Sequence, residues 1–232
     1  MQKKVSIIIP ACNEQDYLKK TIDSLRSQDY SNIEIIVVAN GSKDKTPEVA
    51  EKYADKAFFY PEPLGANLAR IKGVEKASGE IFVFLDADSQ LSKNAVSSIS
   101  DAASSNTIGT CLGRADGENI KAKLFFGFKN LIHRLKIYKG VIDGVIFCNR
   151  DIYFKINGFD EKNIVAEFRD FISRAIKAGA KYKCLTNCYA IVSTRRYEKE
   201  GYLKVFSFWF KWLIGAIFRR GDKTASKYWS KK

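Results

Sequence analysis

The chain has 232 residues, 46% hydrophobic and 28% charged, an ordinary globular composition that allows one large domain with a substantial core. Its 39 Lys and Arg residues exceed its 26 Asp and Glu residues, and the net charge of +13 favours polyanionic partners: nucleic acid, anionic lipid or nucleotide phosphates. Five cysteines without a CxxC pair argue against a disulfide framework or a structural metal site.

Short apolar runs alternate with helical patterns through the first half of the chain. Strands are predicted at 5–9, 33–39, 57–60 and 81–85, and helices at 16–28, from about 44 or 46, at 65–77 and from about 93. Strand and helix alternating over about 30 residues predict a doubly wound, mostly parallel sheet with right-handed crossovers. The fold class is therefore α/β and Rossmann-like, with helices flanking the sheet.

Beyond residue 106 the pattern is less regular. Strands are predicted at 108–112, 141–148, 182–185 and 189–193, and helices at 121–140, at about 167–177 and at 199–218. We find no linker, so residues 1–198 are predicted to form a single domain. Residues 199–232 are predicted to form a basic, aromatic tail that contains a C-terminal amphipathic helix.

Two aspartates follow directly on the fourth strand. Asp86 and Asp88 come at the carboxyl end of the buried run 81–85, where open α/β sheets bind ligands. Their oxygens suit Mg²⁺ or Mn²⁺, which proteins often hold with one or two carboxylates and substrate phosphates. The plain alternative is that Asp86 ends the strand and Asp88 or Ser89 caps the next helix.

Four segments, in order, resemble the family 2 glycosyltransferases, which have the nucleotide-diphospho-sugar transferase fold. They are SIIIPACNE at 6–14, IEIIVVANGSKDKT at 33–46, GANLARIKGVEKASGEIFVFLDAD at 65–88 and NGFDE at 157–161. The resemblance implies a nucleotide-binding half at 1–105 and an acceptor half at 106–198. It also implies transfer of one sugar, with inversion, from a UDP- or GDP-linked sugar to a lipid-linked or glycan acceptor.

The resemblance implies roles for single residues. Nucleotide contacts are implied for Pro10, Ala11, Glu14, Asn40, Arg70 and Asp86, metal contacts for Asp86 and Asp88, and diphosphate contacts for Arg195 and Arg196. Arginine forks suit phosphate oxygens. The alternatives are a helix N-terminal acid for Glu14, a solvated helix charge for Arg70 and an exposed surface pair for the two late arginines.

Two positions depart from the family pattern. Ala39 and Asn40 stand where two acids are usual. Because Ala39 cannot pair with uracil, the identity of the nucleotide base stays open. It is either guanine, or uracil recognised by Asn40 or by backbone groups. Near the start of the acceptor-side helix, Phe168 stands where an aspartate is expected. We predict Glu167 or Asp170 as the general base, or no base if the acceptor is a lipid phosphate, which is already a nucleophile.

Two basic and aromatic segments predict surface contacts. Residues 121–139 are interpreted as a helix with its apolar face packed down and its cationic face outward, or as an interfacial membrane segment; His133 is predicted to be structural or exposed. The aromatic run at 203–220 favours binding at a membrane interface over packing on the sheet or a dimer seam.

Location and rival functions complete the prediction. Residues 1–10 lack the apolar core of a signal peptide, so we expect a cytoplasmic protein, peripheral on the cytosolic face of a membrane. Nucleic acid is not expected as a partner, and a homodimer is left open. The rivals are a sugar nucleotidyltransferase of the same fold and a catalytically inactive nucleotide-binding or membrane adaptor.

Overall fold

The computed structural model describes residues 2–135, 139, 144–161, 167–202, 204, 205 and 207. Within these ranges one sheet is flanked by helices, as the sequence predicts. The elements are β1 Val5–Ala11, α1 Leu18–Arg26, β2 Ile33–Asn40, α2 Thr46–Tyr53, β3 Lys56–Tyr60, α3 Gly65–Val74, β4 Ile81–Leu85, β5 Ser89–Leu91, α4 Ala95–Ala102, β6 Thr107–Ala115, α5 Ile120–Arg134, β7 Val145–Asn149, α6 Arg150–Lys155, α7 Glu167–Lys177, β8 Lys181–Val192 and α8 Arg195–Glu200.

The sheet has the strand order β3-β2-β1-β4-β7-β6-β8-β5. Its first four strands are parallel to one another, so the carboxyl ends of β1, β2 and β4 lie at the same edge. The other half is mixed: β7 runs antiparallel to β4 and β6, β8 runs parallel to β6, and β5 runs antiparallel to β8. The predicted α/β architecture is confirmed.

Strand β4 is apolar throughout because both of its faces are covered. Val83 and Leu85 belong to the core layer that also holds α1, α4 and part of α5. Phe82 and Phe84 point to the opposite layer, which holds α6 and α7. Successive side chains of a strand alternate between faces, so a strand buried on both sides must be apolar at every position.

Several element boundaries differ from the prediction. Ser89 begins the short strand β5 instead of capping a helix, and the next helix, α4, begins only at Ala95. The two strands predicted at 182–185 and 189–193 are one strand, β8, whose pairing with β6 shifts register between Cys111 and Leu112. The short helix α6 was not predicted.

Helix α5 matches the predicted orientation of residues 121–139 only in part. Its inward face contains Lys129 and His133, both buried, and the ring Nδ1 of His133 lies 3.2 Å from the hydroxyl of Tyr182. Large aliphatic side chains share its outward face with the exposed Lys121, Lys123 and Arg134. His133 is thus structural, as predicted, while the expected outward cationic face also carries an apolar stripe.

The predicted C-terminal segments lie only partly within the described residues. Helix α8 begins at Arg195, earlier than the predicted start at 199. Most of the predicted tail at 199–232, and positions 141–143 of the predicted strand 141–148, lie outside the described residues. Within the described part of the chain, each helix is too short or too polar to span a bilayer.

Candidate functional site

The carboxyl ends of β1, β2 and β4 lie at one edge of the sheet, and we call the region beyond them the crevice, because open α/β sheets bind ligands there. Pro10 and Ala11 end β1, Asn40 ends β2, and Asp86 and Asp88 follow β4. Ala11 pairs in register with Ala39 of β2, so the first two loops leave the sheet side by side. The parallel topology therefore gathers residues that are widely separated in the sequence.

Asp86 stands at the centre of this crevice. Its backbone nitrogen donates to the carbonyl of Gly144 at 2.9 Å, which fixes the first residue after β4. Desolvation in the crevice raises the pKa of Asp86 to about 6; Arg70 opposes that rise, and the charges of Asp88 and Glu167 add to it. A carboxyl group poised near neutrality, among other charged groups, is typical of functional sites.

Arg70 links three elements of the site. Its Nη2 donates to Oδ1 of Asp86 at 3.1 Å, and its Nη1 donates to Oε1 of Glu167 at 3.3 Å. Its guanidinium lies 4.3 Å from the ring centroid of Phe168 and 5.6 Å from that of Phe159. The side chain is only 3% exposed, so Arg70 is not a solvated helix charge.

Phe168 therefore has a structural explanation at the position where an acid was expected. Its ring and that of Phe159 pack edge to face, 6.0 Å apart, and both contact the guanidinium of Arg70. A cation over an aromatic face gains about 0.5–2 kcal/mol, more when it is desolvated. Neither ring contact was predicted, although Phe159 lies within the NGFDE motif.

The two candidate bases have different partners. Glu167 reaches Arg70 and thus the neighbourhood of Asp86. Asp170, one turn further along α7, accepts from Nε of Arg174 at 2.7 Å, and the same guanidinium donates to the carbonyl of Ile156. The contacts thus bring Glu167 to the centre of the crevice and hold Asp170 in a separate ion pair.

A second ionic cluster surrounds Asp88. Nη2 of Arg195 lies 3.0 Å from Oδ2 of Asp88 and also donates to Oε1 of Glu14. The Arg195 guanidinium lies 4.4 Å from the ring centroid of Tyr17. Desolvation raises the pKa of both Glu14 and Asp88, and Arg195 opposes the rise in each case.

The beginning of α8 is fixed by Asp116, which no sequence signal singled out. Oδ1 of Asp116 accepts from the backbone nitrogen of Thr194 at 2.9 Å and from its hydroxyl at 2.7 Å. This anchor directs the next residue, Arg195, toward the crevice. Among the contacts of the described residues, Arg196 donates to Glu200 at 3.1 Å, whereas Arg195 joins the cluster.

Asn40 is buried and both ends of its amide are engaged by backbone. Its Nδ2 donates to the carbonyl of Ala11 at 3.2 Å, and its Oδ1 accepts from the nitrogen of Leu64 at 3.1 Å. The side chain therefore ties the end of β1 to the start of α3. In this arrangement Asn40 positions the backbone of Ala11 and Leu64 at this edge of the sheet.

The donor set of the crevice suits a hard divalent cation. Asp86 and Asp88 present carboxylate oxygens, and Oε2 of Glu14 is buried and, within the described part of the chain, accepts no hydrogen bond. No three metal-binding side chains form a ready-made cage in the ranges described. Such a site fits Mg²⁺ or Mn²⁺ bound by one or two carboxylates, with substrate phosphate and water completing the shell.

The sheet order and its flanking helices are those of the GT-A fold, which solved nucleotide-sugar transferases share. The family described as Glycosyl transferase family 2 matches residues 6–150, and the chain belongs to that family. The family predicted from the sequence is thereby confirmed.

Named relatives agree with this assignment. The chain is 48% identical over 85 residues to an uncharacterized glycosyltransferase of Rickettsia typhi, covering 36% of this chain and 27% of that protein. It is 28% identical over 186 residues to glycosyltransferase AglE of Haloferax volcanii, covering 75% of this chain and 58% of that protein. The chain thus spans about a quarter of the first of these relatives and about three-fifths of the second.

Solved structures share the fold. A mannosyltransferase of Pyrobaculum calidifontis in complex with GDP-Man and Mn²⁺ superposes with a TM-score of 0.71 at 19% identity, covering 86% of this chain and 60% of that one. Residues 1–349 of TarS from S. aureus, in complex with UDP, superpose with a TM-score of 0.63 at 18% identity, covering 84% of this chain and 62% of that one.

Proposed function

We propose that this chain is a metal-dependent, inverting glycosyltransferase that moves one sugar from a nucleoside diphosphate sugar to an acceptor at a membrane surface. The observation that carries the proposal is the pair of ionic clusters at the carboxyl edge of the parallel strands. One joins Arg70, Asp86 and Glu167, and the other joins Arg195, Asp88 and Glu14. Together they would provide groups for the nucleotide, the diphosphate and the acceptor.

The donor is proposed to be a UDP- or GDP-linked sugar. The solved neighbours with GDP-Man and UDP support this class, and Pro10, Ala11 and the loop held by Asn40 would border the base and ribose. Because the Asn40 amide is already hydrogen-bonded at both ends, backbone groups of these loops are better candidates for reading the base. Asp86 would accept a hydrogen bond from the ribose or contact the metal.

Asp88, with Asp86, would hold Mg²⁺ or Mn²⁺. When bound, the ion neutralises the negative charge that develops on the leaving nucleoside diphosphate. Arg195 pairs with Asp88, and its guanidinium would also suit a phosphate oxygen of the leaving group. Arg196, paired with Glu200, would contribute positive charge nearby.

Glu167 is the better candidate for the general base. Glu167, which pairs with Arg70 beside Asp86, would accept the proton of an acceptor hydroxyl as the oxygen attacks the anomeric carbon. Asp170 is held by Arg174 and would have to break that pair to act. A lipid phosphate acceptor would need neither, since its oxygen is already ionised.

The proposed location is the cytosolic face of a membrane, where the chain would bind peripherally. Its net charge of +13 supports this, because anionic lipid attracts each basic side chain near the surface by about 1 kcal/mol. A lipid-linked or glycan acceptor would be reached there.

Thermal unfolding with ligands tests the proposal directly. We expect UDP or GDP, or one of their sugars, to raise the melting temperature only when Mn²⁺ is present. The rise should be easy to measure, because a ligand at a hundred times its Kd adds about 2.7 kcal/mol to the free energy of unfolding. Asp88→Ala should remove the metal-dependent shift and the turnover while the protein stays folded. Asp101→Ala, at an exposed position on α4, is the matched control and should keep both.

Either of two outcomes would contradict the proposal. One is unchanged turnover in Asp88→Ala. The other is the absence of any nucleotide-dependent shift in the wild type combined with salt-sensitive binding to vesicles, which would favour an inactive adaptor. Release of diphosphate from a nucleoside triphosphate would instead identify a nucleotidyltransferase.

A further inference from the structure

A stripe of aliphatic side chains covers the outward face of α5. We call Ile120, Leu124, Leu131 and Leu135 the α5 stripe; they are 65%, 68%, 51% and 60% exposed. At 3.6 residues per turn these positions fall within an arc of about 60°. Four large apolar side chains in one row differ from the scattered exposed hydrophobics of an ordinary surface.

Basic residues border the α5 stripe on both sides. Lys121 lies along one border, and Lys123 and Arg134 lie along the other; all three are exposed. Lys123 is close to the carboxylate of Glu118. Lys121 lies in the first turn of the helix, and its backbone nitrogen donates to the side chain of Asn119, the N-cap residue. An apolar row with cationic edges is the arrangement by which amphipathic helices bind in the plane of an anionic bilayer.

The inward face of α5 fixes this orientation. Phe125 and Phe126 are buried and pack against the ring of Tyr197 on α8, at centroid distances of 5.4 and 6.0 Å. Asn130 is hydrogen-bonded in both directions to the backbone of Gly113 in β6. The helix therefore cannot turn its stripe inward without breaking these contacts.

We propose that the α5 stripe is a docking surface for an anionic lipid bilayer. The four aliphatic side chains enter the boundary between head groups and acyl chains, and Lys121, Lys123 and Arg134 contact lipid phosphates. Burial of apolar side chains and attraction to anionic lipid act together on such a surface.

The charges favour lipid over a second copy of this chain as the occupant. Two α5 stripes packed against each other would bring the basic borders of both copies together. The acid beside this border is Glu118, which precedes α5 and already pairs with Lys123. Like charges across an interface oppose association. A phosphatidylglycerol surface supplies the opposite charge to every basic side chain on the border.

Docking here would place the bilayer beside the crevice. Strand β6 runs parallel to β4, because both are antiparallel to β7, so α5 begins at the same edge of the sheet as Asp86. Just before α5, Asp116 anchors Thr194, and Arg195 next to it reaches Asp88. Delivery of a lipid-linked acceptor along this surface rests on the proposed function; the docking itself does not.

Vesicle co-sedimentation tests the docking surface. The full chain is spun with phosphatidylcholine vesicles and with mixed phosphatidylcholine and phosphatidylglycerol vesicles at low and high salt. We expect binding to the anionic vesicles that weakens with salt, and a loss of about tenfold or more in Leu124→Ser/Leu131→Ser, since each leucine contributes an exposed apolar side chain. Phe59→Ser, at another exposed hydrophobic on β3, is the matched control and should bind as the wild type does.

Three results would overturn the proposal. Leu124→Ser/Leu131→Ser could bind vesicles as well as the wild type while removal of 208–232 abolishes binding, which would assign the membrane contact to the tail. A wild-type dimer in sedimentation velocity that the double variant dissociates would assign the stripe to a second copy. Loss of stability in urea equal to that of a core variant would show that the stripe is covered within the chain.

The test is independent of catalysis. The double variant should keep the Mn²⁺-dependent nucleotide shift of the wild type, because its substitutions lie outside the crevice. Absence of that shift in the wild type would contradict the proposed function and leave the vesicle result interpretable.

Discussion

Replacing Asp86 with asparagine should stabilise the fold at neutral pH while removing a central group of the crevice. Desolvation raises the pKa of Asp86 from 3.8 to about 6 despite the neighbouring Arg70, so the folded protein disfavours the ionised form. Raising the pKa from 3.8 to about 6 corresponds to about 3 kcal/mol of unfolding free energy if the effect is fully expressed. The side chain is 39% exposed, and allowing for solvent screening we expect about 1 kcal/mol.

The pH dependence has a definite sign. Between pH 3.8 and about 6 the folded chain binds more protons at Asp86 than the unfolded chain does, so this residue's contribution to stability falls as pH rises through that window. Asparagine does not ionise and escapes that loss. The advantage of Asp86→Asn should therefore be complete above pH 6 and should vanish as the pH approaches 3.8.

Urea denaturation in EDTA at pH 7.5 and at pH 4.5 measures the difference. Asp16→Asn is the control. Because Asp16 is exposed just before α1, this substitution should change the free energy of unfolding by no more than about 0.5 kcal/mol. If Asp86→Asn proved less stable than the wild type at pH 7.5, the ion pair with Arg70 would outweigh the desolvation of the carboxylate, and the reasoning would be refuted.

Three further substitutions follow from the contacts. Arg195→Ala should weaken nucleoside diphosphate binding about tenfold by calorimetry, since a charge-assisted phosphate contact is lost; unchanged affinity would remove Arg195 from the donor site. Burial raises the pKa of Glu34, but hydrogen bonds from Ser6, Ser78 and Lys56 lower it to about 2. Glu34→Gln should therefore lower the free energy of unfolding, measured in urea at pH 7, by about 2–3 kcal/mol. The difference in stability between variant and wild type should shrink as pH falls from 4.5 toward 2. Phe168→Leu should reduce kcat/KM about tenfold by loosening Arg70, whereas Phe168→Tyr should retain most of it; equal rates in both variants would contradict the stacking role.

The sequence was sufficient for the architecture because its signals are local. Apolar runs such as 81–85 and helical spacing give the type and order of the elements, and the ordered motifs identify the family. Asp86 and Asp88 could be placed in a crevice because the end of a buried strand has a defined position in an open sheet. Element ends were less certain, and β8 was predicted as two strands because its pairing shifts register in the middle.

Pairings between distant residues could not be predicted in the same way. Arg70 and Glu167 are 97 residues apart, and Arg195 and Glu14 are 181 apart, yet each pair is in contact. A charged side chain looks alike in sequence whether it is solvated or buried beneath an aromatic ring. The ion-pair partner of each charged side chain in the crevice is therefore set by the tertiary fold.

By itself the sequence determined the α/β class and the family, because periodicity and motif order depend on neighbours along the chain. Only the tertiary structure decided that Asn40 is engaged by backbone, that Asp170 is paired away from the crevice, and that α5 turns its aliphatic stripe outward. Helix α5 has apolar residues on more than one face, and which face is buried depends on what packs against it, here Tyr197 and β6.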